Sequence, residues 1–171
     1  ILVLSINHHP WANDGAIKSP TFVGTEDRFD QGVRLTSTII EGCEIALGQP
    51  YLWRDWLPSH RNLRTDRGSP LRVSVLLLVS NLSKIPRQVT WEPYIQDREG
   101  KSHSLTFFDR SQRLQQSVLL SPGAVYETEL IAHKGPFLSV GKKASVHMRI
   151  LVDEKYAGQL TTSPVVINQT M

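Results

Sequence analysis

Alternation of apolar and polar positions is strongest between Pro70 and Asn81. Leu71, Val73, Val75, Leu77 and Val79 fall on one face of an extended chain, and Arg72, Ser74, Leu76, Leu78 and Ser80 on the other. Side chains alternate with period two in a strand, so the first face is wholly apolar, while the second is polar at its ends and apolar in the middle. That pattern predicts a central strand with the core on one side and partial cover on the other. Read alone, the unbroken run Val75–Val79 also fits a buried helix. The β-branched valines and the bounding Pro70 and Asn81 favour the strand. Asn81–Pro86 then supplies a turn, and Arg87–Ile95 a second strand with Val89 and Trp91 on one face. Two long strands around a short polar turn predict an antiparallel hairpin.

The same reading extends along the chain. Ile1–Ile6 is apolar but far too short to span a bilayer. It fits a first strand, or the tail of a removed signal or membrane anchor. Turn formers crowd Asn7–Gly24, an extended loop pinned by Trp11 and Phe22, and the acidic Glu26–Gln31 suits one helical turn. Val33–Ile40 alternates as a strand, Gly42 breaks it, and Cys43–Leu47 resumes it across a bulge. His103–Phe108 reads as a short strand with Leu105 and Phe107 on one face, and Asp109–Gln116 as a polar loop. After the Ser121-Pro122-Gly123 turn, Tyr126–Ala132 is a strand with Glu127 and Glu129 facing outward. Ala144–Val152 and Tyr156–Leu160 form a hairpin across Asp153-Glu154-Lys155. Ser163–Ile167 is an edge strand, because Pro164 cannot donate to a ladder.

About nine to ten short strands with no convincing helix predict an all-β chain, an antiparallel β-sandwich. With 171 residues, 40% hydrophobic and 20% charged, the chain suits one globular domain: residues 1–32 as N-terminal strand and extended loop, residues 33–171 as the sandwich core. VSVLLLVSN, the proline-containing turn, the strand carrying Trp91, and Leu120-Ser121-Pro122-Gly123 before Tyr126–Ala132 together resemble the immunoglobulin-like accessory sandwiches of bacterial cell-envelope proteins. The resemblance covers Val33 to Ile167 and lacks the Cys…Trp…Cys pattern of antibody-type domains. It implies an accessory role in a cell-envelope or extracytoplasmic assembly, with a cytoplasmic place as the alternative. It carries over no site residue.

Charge and chemistry then narrow the classes. The formal charge of +3 is spread among mixed acids and bases, which argues against nucleic acid as the partner. The lone Cys43, in an apolar stretch, excludes an internal disulfide and reads as a small buried hydrophobe. The histidines at 8, 9, 60, 103, 133 and 147 show no metal-ligand spacing, and no metal or cofactor is expected. There is no nucleophile elbow and no phosphate loop, so the chain reads as non-enzymatic. Asn81-Leu82-Ser83 and Asn168-Gln169-Thr170 match the glycosylation acceptor pattern.

The distinctive polar feature is Gly48–Ser69, an irregular piece of about 22 residues, longer than a plain connection. Tyr51, Trp53, Arg54, Trp56, Arg61, Arg64 and Arg67 are its candidate partner-binding residues. Aromatics with arginines are the usual composition of a protein-interface hot spot, which predicts another protein as partner, against a plain solvated connection whose arginines pair with surface acids. The alternative is a module that binds an anionic or carbohydrate ligand through the same residues.

Overall fold

Strand β4 (Arg72–Asn81) is the spine of the structure, with Val73, Val75, Leu77 and Val79 at most 1% exposed. The computed structural model describes residues 35–55 and 68–170. Ile1–Ile6, Trp11, Phe22, Glu26–Gln31, Trp56, Arg61, Arg64 and Arg67 lie outside the described residues.

Along one edge of β4 runs β8 (Val125–Ala132), antiparallel. Along the other run β2 (Cys43–Leu47) and β3 (Tyr51–Asp55), both antiparallel to β4. The edge strand β1 (Thr36–Ile40) pairs with β2, and β12 (Asn168–Thr170) pairs with β3 in parallel. The second sheet is built on β5 (Arg87–Asp97) and β9 (Lys143–Val152). These two carry β6 (Ser102–Ser104), β7 (Ser117–Leu120), β10 (Lys155–Thr161) and β11 (Val165–Val166). One apolar cluster draws on both sheets, from Cys43, Ile45 and Leu130 on the first to Trp91, Met148 and Ile150 on the second. The fold is all-β, with no helix among the described residues. No helix there is long and apolar enough to cross a membrane.

Several expectations are corrected. Twelve strands form among the described residues, more than the pattern predicts: β3 lies in the stretch read as irregular, and β7 and β12, of four and three residues, are too short to show periodicity. The pairing is not wholly antiparallel, since β12 lies parallel to β3. β4 and β5 do not form a hairpin: they belong to different sheets. Asn81 holds the crossing between them. Its Nδ2 donates to Ile85 O (2.8 Å) and Leu120 O (3.0 Å), and its Oδ1 accepts from Ser83 N (2.9 Å). The side chain is fully buried, so Asn81 is a corner pin and not a glycan acceptor.

The break at Gly42 is a two-residue hairpin and not a bulge. Ile40 faces Cys43, and Glu41 (φ 49°) with Gly42 (φ 76°) has the left-handed pair that a tight β-turn requires. The bulge lies further on. Five residues from Leu47 to Tyr51 run opposite four from Leu77 to Ser74, so Gly48–Pro50 contains one extra residue. A Cβ at Gly48 would lie 3.1 Å from Leu76 Cβ, so glycine lets the kinked backbone approach β4. Of the predicted His103–Phe108 strand, β6 takes in only His103 and Ser104. Leu105 and Phe107 are nevertheless buried, as the alternation implied.

Candidate functional site

The bulge decides what the aromatic stretch presents. Before it, Cys43, Ile45 and Leu47 point inward; after it, Leu52 and Arg54 do. Tyr51, Trp53 and Asp55 therefore share the outer face, in keeping with the two-residue period. The first half of the predicted irregular loop is thus strand β3. Tyr51 and Trp53 stack with ring centroids 5.2 Å apart, and Tyr51 is 49% exposed. Beside them Asp55 forms a 2.9 Å ion pair with Arg72, opposite Trp53 in the ladder. An exposed pair of this kind contributes about 0 to 1 kcal/mol to stability.

Arg54 is not on this surface. It is only 4% exposed, its Nε donates to Ser69 O at 2.8 Å and its Nη1 to Leu138 O at 2.9 Å. Its guanidinium also lies 5.7 Å from the centre of the Phe137 ring. The expectation that Arg54 meets a partner directly is corrected: the bulge turns it inward, where it anchors the loop carrying Phe137. Of the seven predicted partner-binding residues, the structure brings Tyr51 and Trp53 together on one face and places Arg54 beneath the neighbouring loop.

That loop leads to a feature that the alternation of apolar and polar positions does not predict. Two adjoining cavities of about 490 and 700 Å³ share Asp97, Arg98, Lys142 and Lys143 as lining, and together form a trough. Phe137, Leu138 and Ile167 line the smaller one, and Gln96, Ser145 and Pro164 the larger. Both rims are tied down. In the Asp97–Lys101 turn, Asp97 Oδ1 accepts from Glu99 N (3.0 Å) and Lys101 N (2.9 Å). Burial pushes the Asp97 carboxyl up, but those two N–H groups and His103 outweigh it and hold it below the usual carboxylate range. On the other rim, Gly141 N donates to Ile167 O (2.9 Å) and Ile167 N to Lys142 O (2.8 Å). The signal that could have revealed the trough is Arg98 and Lys142-Lys143 flanking the two ends of strands that pair: Asp97 faces Ala144 in the ladder.

His103 Nε2 stands 3.6 Å from Asp97 Oδ2, beyond hydrogen-bond length, and His103 does not line the trough. Among the described residues no three or more of His, Cys, Asp and Glu come together as a metal site would require. A third, shallower cavity of about 350 Å³ lies on the outer face of the second sheet between Tyr94, Ser104 and Arg149. On the same face His147 is buried against Tyr94, with ring centroids 4.7 Å apart and planes 7° from parallel.

No family model matches the chain, and no curated protein matches it. Among solved structures it is similar to a Bordetella pertussis protein named ApaA, at 13% identity and a TM-score of 0.39, over 78% of this chain and 98% of that one. It is also similar to a Northeast Structural Genomics Consortium target, at 9% identity and a TM-score of 0.36, over 74% of this chain and 86% of that one. Both likenesses are too distant to assign a function.

Proposed function

We propose that this chain is a non-enzymatic, immunoglobulin-like accessory module that binds another protein, as part of a cell-envelope assembly. One observation carries the reading: the Tyr51–Trp53 stack stands half-exposed on the outer face of the first sheet. Large aromatic rings left in water at a sheet surface are the usual anchors of a protein interface. Non-enzymatic action is supported by Asp97, whose Oδ1 is engaged by two N–H groups of its own turn. Two sheets around one core, joined at the Asn81 crossing, support the immunoglobulin-like description.

The test is affinity capture from the native source, with the partner identified by mass. Tyr51→Ser with Trp53→Ser should abolish capture and leave the thermal midpoint nearly unchanged. Arg61→Ser, Arg64→Ser and Arg67→Ser together should weaken capture more at low salt than at high salt. Undiminished capture by both variants overturns the reading.

A further inference from the structure

We propose that the trough between the Asp97–Lys101 turn and the Ser139–Lys143 turn is a docking site for a short, acidic, extended peptide segment of a protein partner. The proposal rests on the protein-binding reading above and names a chemistry and a place for it. The cations Arg98, Lys142 and Lys143 line the trough, and all three are exposed. Of the two acids lining it, Asp97 has one oxygen held by two backbone N–H groups, which leaves Glu99 as the acid free of such a turn bond. Phe137, 63% exposed, stands at one end and offers an apolar contact beside the charge.

Shape selects the ligand class. Adjoining volumes of about 490 and 700 Å³ are far larger than a single phosphate or carboxylate fills, so the occupant is elongated. Acidic lining residues oppose a uniform polyanion such as nucleic acid. They suit a peptide, which brings carboxylates to the lysines and an apolar side chain to Phe137. Both rims are fixed by their own backbone hydrogen bonds, so little ordering is needed on binding.

The experiment titrates the full chain into fluorescein-labelled Glu-Leu-Glu-Phe-Glu-Leu-Glu and follows anisotropy. Two further probes are the peptide with each Glu replaced by Lys, and oligothymidylate. The acidic peptide should bind and the lysine peptide should not. Lys142→Glu with Lys143→Glu should weaken binding about tenfold or more, with an unchanged thermal midpoint because both side chains are exposed. The milder Lys142→Gln with Lys143→Gln should fall between. Phe137→Ser should weaken binding without changing its salt dependence. The proposal is overturned if the wild type does not bind the acidic peptide, if the lysine variants bind it equally well, or if oligothymidylate binds more tightly. The titration leaves Tyr51 and Trp53 intact. A chain that captures its partner through those rings but ignores the peptide therefore keeps the interaction reading and loses only the trough.

Discussion

Two buried polar side chains stand at opposite ends of β4, and they fasten the structure in different ways. Asn81, at the C-terminal end, is neutral and fully enclosed. Two of its partner residues, Ser83 and Ile85, lie within four residues of it, and Leu120 comes from the adjoining strand end. Arg54, beside the N-terminal end of β4 on the neighbouring strand, is charged and reaches Ser69, 15 residues away, and Leu138, 84 residues away. Asn81 closes a local corner. Arg54 ties together segments remote in sequence and supports the wall of a surface trough. A neutral amide can be satisfied inside a sealed turn, whereas a buried guanidinium carries five N–H donors and needs several oxygens around it. The sealed end is suited to holding the sheets, and the end with the long-range anchor is where the cavities open.

Asn81→Ala is the strongest way to break this contrast. It removes the donor to Leu120 O and to Ile85 O, the latter keeping Ser83 Oγ at 2.9 Å, and the acceptor of Ser83 N in one step. Weakening the buried acceptor Leu120 O costs about 1 to 3 kcal/mol and the lost bonds to Ser83 and Ile85 add about 1, so a loss of about 3 kcal/mol is expected in urea denaturation. A loss below about 1 kcal/mol would show that water replaces the amide and that the corner is not sealed.

Arg54→Met comes next. Methionine keeps much of the apolar stem while removing the donors to Ser69 O and Leu138 O, so about 2 kcal/mol should be lost. Unlike Asn81→Ala, it should also weaken the acidic peptide, because Leu138 and Phe137 lose their support. Equal peptide affinity in the folded variant would show that the trough wall stands without Arg54.

The same contrast explains what could be read from the chain. Leu71, Val73, Val75, Leu77, Val79, Val89, Trp91 and the inward face of β9 were legible because each strand carries its own alternation, and these residues are buried as expected. Asn81 was legible as part of a turn but not as a sheet crossing, since a polar link of that length fits either. Arg54 was misread for a definite reason. The extra residue within Gly48–Pro50 reverses which positions face inward, and no local pattern marks where such a residue is absorbed. The partners that make its burial tolerable lie far along the sequence. The trough was illegible for the same cause: its cations meet only after β5 and β9 pair.

The smallest expected effect tests whether neutrality is what lets a polar group be sealed in. His147, 7% exposed, is a third buried polar side chain, on the second sheet. Its Nδ1 lies 2.9 Å from Thr161 Oγ1, while Nε2 has no partner among the described residues. Burial pushes its pKa below the ordinary imidazole range, so the folded state favours the neutral ring. Between that lowered value and about pH 6.5 the unfolded chain binds the proton more readily, and unfolding is then favoured as protons are added. The contribution of His147 is therefore complete above about pH 6.5 and is lost as pH falls through its folded value. A second, more acidic limb is expected from carboxyls held below their usual range. Asp153 is held there by Gln88 N–H and Arg87, and Asp109 by the N–H of Arg113. Their contribution is present above about pH 4 and is lost below it. Urea midpoints measured from pH 7.5 down to pH 3 should show both limbs. His147→Gln, which cannot take up a proton, should flatten the upper limb and leave the lower one in place. An unchanged upper limb in that variant would mean that His147 accepts its proton while buried, and that a charge can be sealed in this sheet face as readily as the neutral amide of Asn81 is at the corner.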